Sequence, residues 1–171
     1  QGGPLPNEIA AKTVCFKEAS TSRFKELQRK TVVNAKVLAN ELKNYGFRLV
    51  SGGTDNHLIL VDILKSGLTG RRAEKILNAA NIVVNKNVVP FDKRSPSDPS
   101  GIRLGTPVVT KRGMEETEMA TIANMIYKIV GNPGDSAIIR DIRKKVYELC
   151  SNFPYYSHRL RGNVRPLFNL R

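Results

Sequence analysis

Long apolar runs are missing from this chain of 171 residues. The longest, such as Leu58-Ile59-Leu60-Val61, are far too short to cross a bilayer as a helix, so no membrane-spanning segment is expected. Cysteine is scarce. Cys15 and Cys150 stand far apart, and neither lies near another metal-ligand type at a known spacing. That excludes a disulfide framework and a cysteine metal site, and predicts two buried free thiols in a reducing cytoplasm. No charged n-region followed by an apolar h-region opens the chain, so no secretory signal is read and the expected location is cytoplasmic. The first residues are Gln1-Gly2-Gly3-Pro4 with no initiator Met, which suggests a fragment or a processed product.

Acids are scarce beside bases: 15 Asp and Glu against 28 Lys and Arg, a formal net charge of +13. Such an excess attracts polyanions by counterion release. The cations are nevertheless spread along the whole chain. Only the tail from Ser157 concentrates them, with Arg159, Arg161, Arg165 and Arg171 and no acid. No recognisable nucleic-acid module or basic-aromatic stripe accompanies them. They read as solvated faces and a basic tail, and nucleic acid is not expected as a partner. The length predicts one domain of ordinary size with room for an appendage, and 40% hydrophobic residues suffice for a core.

What is present alternates between helix and short strand. A helix is predicted from about Pro6 to Ala19. Ser20 or Ser22 then caps a long helix to Tyr45, with Leu27, Ala35, Leu38, Leu42 and Tyr45 at helical spacing and Gly46 as its stop. Phe47 to Val50 and His57 to Ile63 read as strands around the dense turn chemistry of residues 51–56. Thr69 caps a helix with Ala73, Ile76, Leu77 and Ala80 on one face. Ile82 to Val84 reads as a short buried strand, and Asn85 to Ser100, with three prolines, as an irregular loop. A strand at Ile102 to Leu104, a short helical turn from Pro107 and two amphipathic helices complete the pattern. One of these carries Met119 to Ile129 and ends at Gly131; the other carries Ile138 to Leu149. The skeleton is a small α/β sandwich, a few short strands covered by helices. Ligands in such sheets sit where loops leave strand ends, here residues 51–56 and 85–100.

Ser100-Gly101-Ile102-Arg103-Leu104-Gly105-Thr106-Pro107 is the segment richest in chemistry. Its glycines admit a close backbone approach, and an arginine between them presents a planar fork matching a carboxylate. Arg103 therefore reads as a site for a small carboxylic acid. His57 stands beside Asp55 but heads a buried strand, which makes it a hydrogen-bonded structural residue. Lys86 reads as a surface or loop-anchoring side chain. Asn87 is open to two readings, a turn residue bonding its own backbone or a ligand contact. Gly2 and Gly3 either begin a helix or, preceding one, suit an anion.

Five motifs stand in order: Gln1-Gly2-Gly3-Pro4, Ser51 to His57, Val84-Asn85-Lys86-Asn87, Ser95-Pro96 and Ser100 to Pro107. Together they resemble the C-terminal part of serine hydroxymethyltransferase (glycine hydroxymethyltransferase), from Gln1 to about Tyr156. The resemblance implies a pyridoxal-phosphate-dependent transferase of fold type I. It would move a one-carbon unit between serine and tetrahydrofolate, leaving glycine and 5,10-methylenetetrahydrofolate. It implies a small C-terminal α/β domain whose short, mainly antiparallel sheet is covered by helices, with a long connecting helix on the N-terminal side. Residues 1–25 would be the trailing end of the large domain and the start of that helix, 26–156 the small domain, and 157–171 the basic tail.

On single residues, the family's carboxylate-binding arginine falls on Arg103. Its Gln-Gly-Gly stretch, which lends N–H groups to the cofactor phosphate of the neighbouring subunit in a homodimer or higher homo-oligomer, falls on Gly2 and Gly3. The folate wall falls on Asn87, Ser95 and Pro96, with Ser97 where many relatives carry a phenylalanine. Losing that aromatic removes apolar contact with the pterin. The family's Schiff-base lysine, in a Thr-His-Lys stretch upstream of Gln-Gly-Gly, has no counterpart here, so no catalytic residue is expected in this chain. A non-catalytic module, docking on full-length subunits or on nucleic acid through the basic tail, is the alternative expectation.

Overall fold

The computed structural model describes residues 2–155; Gln1 and everything from 156 on, including the basic tail read at 157–171, lie outside the described residues. Helix α1 spans Pro6–Ala19 and α2 spans Ser22–Asn44. Thr21, rather than Ser20 or Ser22, caps α2: its Oγ1 accepts the Phe24 N–H at 3.2 Å. Gly46 ends it at φ 86°, with the Phe47 N–H bonded to the Leu42 carbonyl and that of Gly46 to Lys43. That pair of bonds is a Schellman exit, which needs the left-handed conformation glycine adopts freely.

The strands are β1 (Arg48–Leu49), β2 (Leu58–Asp62), β3 (Asn85–Asn87) and β4 (Gly101–Gly105), paired antiparallel in the order β1-β2-β4-β3. Helix α3 (Gly70–Ala79) follows β2, capped by Thr69, whose Oγ1 accepts the Arg72 N–H. Helices α4 (Pro107–Arg112), α5 (Glu116–Gly131) and α6 (Ser136–Asn152) follow β4. Among the described residues this is an α/β fold with a small four-stranded antiparallel sheet and six α-helices. No helix there is long and apolar enough to cross a membrane.

The period-2 alternation of strands sorts the sheet into two faces. Ile59, Val61, Ile102 and Leu104 point into a core shared with Leu38 and Leu42 of α2, Leu77 of α3 and Ile126 of α5. Leu58, Arg103, Gly105 and Asn85 are exposed on the opposite face, with Leu60 half-buried among them. The helices cover one side only. On the other side Gly101 and Asp62 are buried, with Val89 over Gly101, and only the end around Arg103 and Leu58 is open among the described residues.

Three expectations from the sequence are corrected. Ile82 to Val84 is not a strand. Asn81, at φ 63°, makes a second Schellman exit in which the Ile82 N–H bonds the Leu77 carbonyl, and strand pairing starts only at Asn85. Val83 is 83% exposed, although Val84 is buried. Cys15 is exposed and Cys150 half-buried, so the two buried thiols are not found. Cys15 lies on α1, which buries no residue, whereas Cys150 packs against the core from α6. His57 is exposed at the mouth of β2, and among the described residues only its carbonyl is bonded, accepting the Thr106 N–H at 3.2 Å. Lys86 is exposed as expected of an anchoring side chain, its N–H donating to Glu74 Oε1 at 2.9 Å.

Two buried devices hold β4 in place. At its start, the Gly70 N–H donates to the Pro99 carbonyl at 2.7 Å, and a Cβ on Gly70 would stand 2.1 Å from the Gly101 carbonyl oxygen. At its end, Thr106 Oγ1 donates to the Thr31 carbonyl of α2 at 2.8 Å, and Thr110 Oγ1 donates to the Thr106 carbonyl at 2.8 Å. Asn34 Nδ2 then donates to Thr110 Oγ1 at 2.9 Å and to the Met114 carbonyl at 3.0 Å. Thr106, Thr110, Asn34 and Thr31 are all buried, so each bond satisfies a group that would otherwise cost about 1–3 kcal/mol. Gly70→Ala is expected to destabilise the chain by on the order of 3 kcal/mol in urea denaturation, because backbone must move to admit the methyl. Gly131→Ala, with nothing within 4 Å of its added Cβ, is the matched control and is expected to leave stability unchanged or slightly raised.

Candidate functional site

Arg103 stands mid-way along β4, one of the two inner strands of the sheet. Its Cα pairs with Leu60 of β2 and Asn85 of β3. Directly opposed residues share a face, so Arg103 leaves the sheet on the open side between those two. Asn87 opposes Gly101 one step along the same face. Beyond them the turn at 50–56 folds over, and together these residues line a cleft of about 660 Å³ with Leu58 and Leu60 as its apolar floor. Small-ligand sites commonly have such volumes.

The turn is built by its own polar side chains. Thr54 Oγ1 donates to the Leu58 carbonyl at 2.6 Å, and Asn56 Oδ1 accepts the Leu58 N–H at 2.8 Å. Ser51 sits at φ 59° and Gly52 at φ 72°. Two consecutive left-handed residues reverse the chain sharply, at a strain cost on the serine. Thr54 and Asn56 are thus spent on the turn. The side chains of Asp55 and Arg103 each make no hydrogen bond or ion pair among the described residues. An exposed guanidinium on a cleft floor, with no internal carboxylate, keeps all five donors for a ligand.

The loop from 88 to 100 hangs on one carboxylate. Asp92 accepts the Ser100 hydroxyl at 2.6 Å, the Ser100 N–H at 2.8 Å, the Arg94 N–H at 3.0 Å and the Val89 N–H at 3.3 Å. The Ser100 hydroxyl, then its N–H, hold the Asp92 carboxyl well below the usual carboxylate range, aided by the Arg94 and Val89 amides. Val89 to Asp92 is a β-turn closed by the Asp92 N–H on the Val89 carbonyl at 3.0 Å, with Pro90 at its second position. Phe91 takes the third at φ 60°, where glycine is the usual choice, and is fully exposed. Farther on, Arg94 ion-pairs with Asp98, whose carboxyl is lowered first by the Thr69 hydroxyl and then by Arg94.

The structure therefore brings Arg103 and Asn87 into one cleft. It does not bring the other sequence candidates there. Ser95, Pro96 and Ser97 are exposed on the loop outside the cleft, with the Ser95 and Ser97 hydroxyls bonded to each other at 2.9 Å. Gly2 and Gly3 precede α1, also outside it, with nothing within 4 Å of where a Cβ would stand. Sequence reasoning did not pick out Asp55 on the cleft wall, Asn85 beside Arg103 in the register, or Asp92 under the loop. The density of turn residues at 51–56 was the signal for the first. Nothing local marks the other two.

Because the folded Asp92 carboxyl titrates below its unfolded value, its contribution is complete above about pH 5 and is lost as the pH falls below about 4. Amide exchange protection at Ser100 and Arg94 is expected to hold from pH 7 to 5 and to decline in that acid range. Asp92→Ala is expected to speed exchange at both amides at least about tenfold at neutral pH while leaving the β2–β4 amides protected.

The family model described as serine hydroxymethyltransferase matches residues 1–126. That span holds α1, the whole sheet, the turn at 50–56, the loop on Asp92 and the start of α5. With most of its length and every strand of its sheet inside that match, the chain belongs to the serine hydroxymethyltransferase family.

Proposed function

We propose that this chain is the C-terminal portion of a pyridoxal-phosphate-dependent enzyme that interconverts serine and tetrahydrofolate with glycine and 5,10-methylenetetrahydrofolate. In this reading the described fold is the small domain of a fold-type I enzyme, α1 and the start of α2 trail from the large domain, and the whole works as a homodimer or higher homo-oligomer. The observation that carries it is Arg103, unpaired on the floor of a cleft large enough for an amino acid. Its fork would take the carboxylate of serine or glycine through two parallel N–H bonds. That contact fixes the direction of the bonds at the substrate Cα, a positioning role rather than proton transfer. Asp55 places the opposite charge on the wall of the same cleft, so a zwitterionic amino acid meets both signs there. Asn87, on the face shared with Arg103, is the folate contact in this reading, and Ser95 to Ser97, which stand outside the cleft, are further folate contacts that the family resemblance implies.

The cofactor itself does not fit this cleft. Its covalent attachment needs a lysine amine, and no lysine lines the cleft. Gly2 and Gly3, open on all sides, form no enclosed phosphate cradle with the described residues. The proposal therefore assigns the lysine and the ring-binding groups to the rest of the enzyme. With the isolated chain, borohydride reduction in the presence of pyridoxal phosphate is expected to fix the cofactor on no specific lysine, as read by peptide mass mapping.

The decisive experiment joins this chain to the lysine-bearing segment of a serine hydroxymethyltransferase and follows the cleavage of serine to glycine. Activity is expected in the joined enzyme. Arg103→Lys is expected to raise KM for serine about 10- to 100-fold, the worth of a bidentate hydrogen bond to a charged group. Parent-like kinetics in that variant would refute the carboxylate assignment.

A further inference from the structure

In the sequence the excess of cations is spread along the chain; in the fold, part of it is gathered on one side of α6. That helix buries Ile142 and packs Ile138, Ile139, Val146, Leu149 and Cys150 against the core. At 100° per residue, the opposite side collects Arg140, Arg143, Lys144, Tyr147 and Ser151, all exposed. Arg143 and Lys144 make no hydrogen bond or ion pair among the described residues, and Arg140 only donates to Ser136 Oγ at 3.3 Å. The two acids of the helix, Asp141 and Glu148, sit on its flank toward α5. Lys145 occupies Asp141 there at 2.8 Å and, with Lys128 and Lys144, keeps that carboxyl ionised. A groove of about 290 Å³ runs along this flank between α5 and α6, lined among others by Lys128, Lys145, Glu148 and Asn152. Past Glu148 the sequence contains no acid at all.

We propose that the outer face of α6 binds single-stranded nucleic acid. Cations one helical turn apart, about 5.4 Å, can follow a phosphate backbone, and Tyr147, 73% exposed at the next turn, offers a ring on which an unpaired base can stack. The flank groove stands outside this surface, since Lys128 and Lys145 are balanced there by Asp141 and Glu148. A membrane fits this face poorly. Its apolar residues are committed to the core, and Tyr147 is the only large apolar side chain among the exposed hydrophobics of the helix, whereas an interfacial helix needs an apolar face to insert. A duplex offers no free base to stack. This surface stands on the far side of α6 from the core and shares no residue with the Arg103 cleft.

The test uses the full chain and fluorescein-labelled oligouridylate, read by anisotropy across a salt series. Three variants are compared: Arg140→Gln with Arg143→Gln and Lys144→Gln; Tyr147→Ala; and a charge-matched triple on α3, Arg71→Gln with Arg72→Gln and Lys75→Gln. All seven side chains are exposed, so circular dichroism and urea midpoints are expected to match the parent. The α6 triple is expected to weaken binding tenfold or more at low salt. It should also flatten the dependence of log K on log salt by about 2, as three lost single-strand phosphate contacts require. Tyr147→Ala is expected to weaken oligouridylate at least about fivefold while leaving heparin, a polyanion without bases, unaffected. Removing residues 156–171 is expected to leave the loss caused by the α6 triple intact.

The proposal is overturned if the α3 triple costs as much as the α6 triple, since net charge alone would then explain binding. It is equally overturned if Tyr147→Ala changes nothing, if the α6 effect vanishes with the tail, or if phosphatidylserine vesicles displace the oligonucleotide.

Discussion

The contact between Gly70 and the Pro99–Gly101 backbone sets where β4 begins, and the rest of the open face depends on it. Side chains alternate along a strand, so a slip of one residue would turn Arg103 into the core and Ile102 into solvent. The contact allows no slip, because there is no room for a single methyl between α3 and the strand. At the other end the Thr106 hydroxyl is tied to α2. Between these two ends β4 is paired on both edges. Arg103 is flexible as a side chain but rooted in the most constrained backbone of the sheet.

That arrangement separates the tasks of neighbouring residues. Thr54, Asn56 and Asp92 use their polar atoms internally, shaping the turn and the loop. Asp55 and Arg103 use none of theirs within the described residues. The polar groups that build the cleft and those left open in it are thus different residues. A carboxylate entering the cleft meets an arginine with no competing internal partner, and binding breaks no ion pair.

Much of this was legible before any coordinates. Helices α3, α5 and α6 follow from apolar spacing and from caps such as Thr69, and Arg103 stood out through its two glycines. The misreadings share a cause, which is long-range pairing. Ile82 to Val84 has strand composition, but the exit from α3 occupies the Ile82 N–H, and the polar residues Asn85 to Asn87 take the pairing instead. Cys15 was expected inside because cysteines usually are; the spacing of α1 does not reveal that nothing among the described residues packs over it. Asp92 lies eight residues from its partner Ser100, and only the closed loop shows that the two meet. The face of α6 escaped notice because charge counted along a chain carries no direction, and a helix supplies one.

Helix α1 stands apart from the other helices in what holds it together. It runs for 14 residues, buries none of them, and shows Leu5, Ile9, Val14 and Phe16 to solvent nearby or along its length. An isolated helix of that size is marginal in water, since nucleation costs about as much as a few turns return. Its helicity therefore rests on its own backbone bonds and its junction with α2, not on burial. On mild heating the helical signal of α1 is the first to fade, because no buried contact has to break before it unwinds.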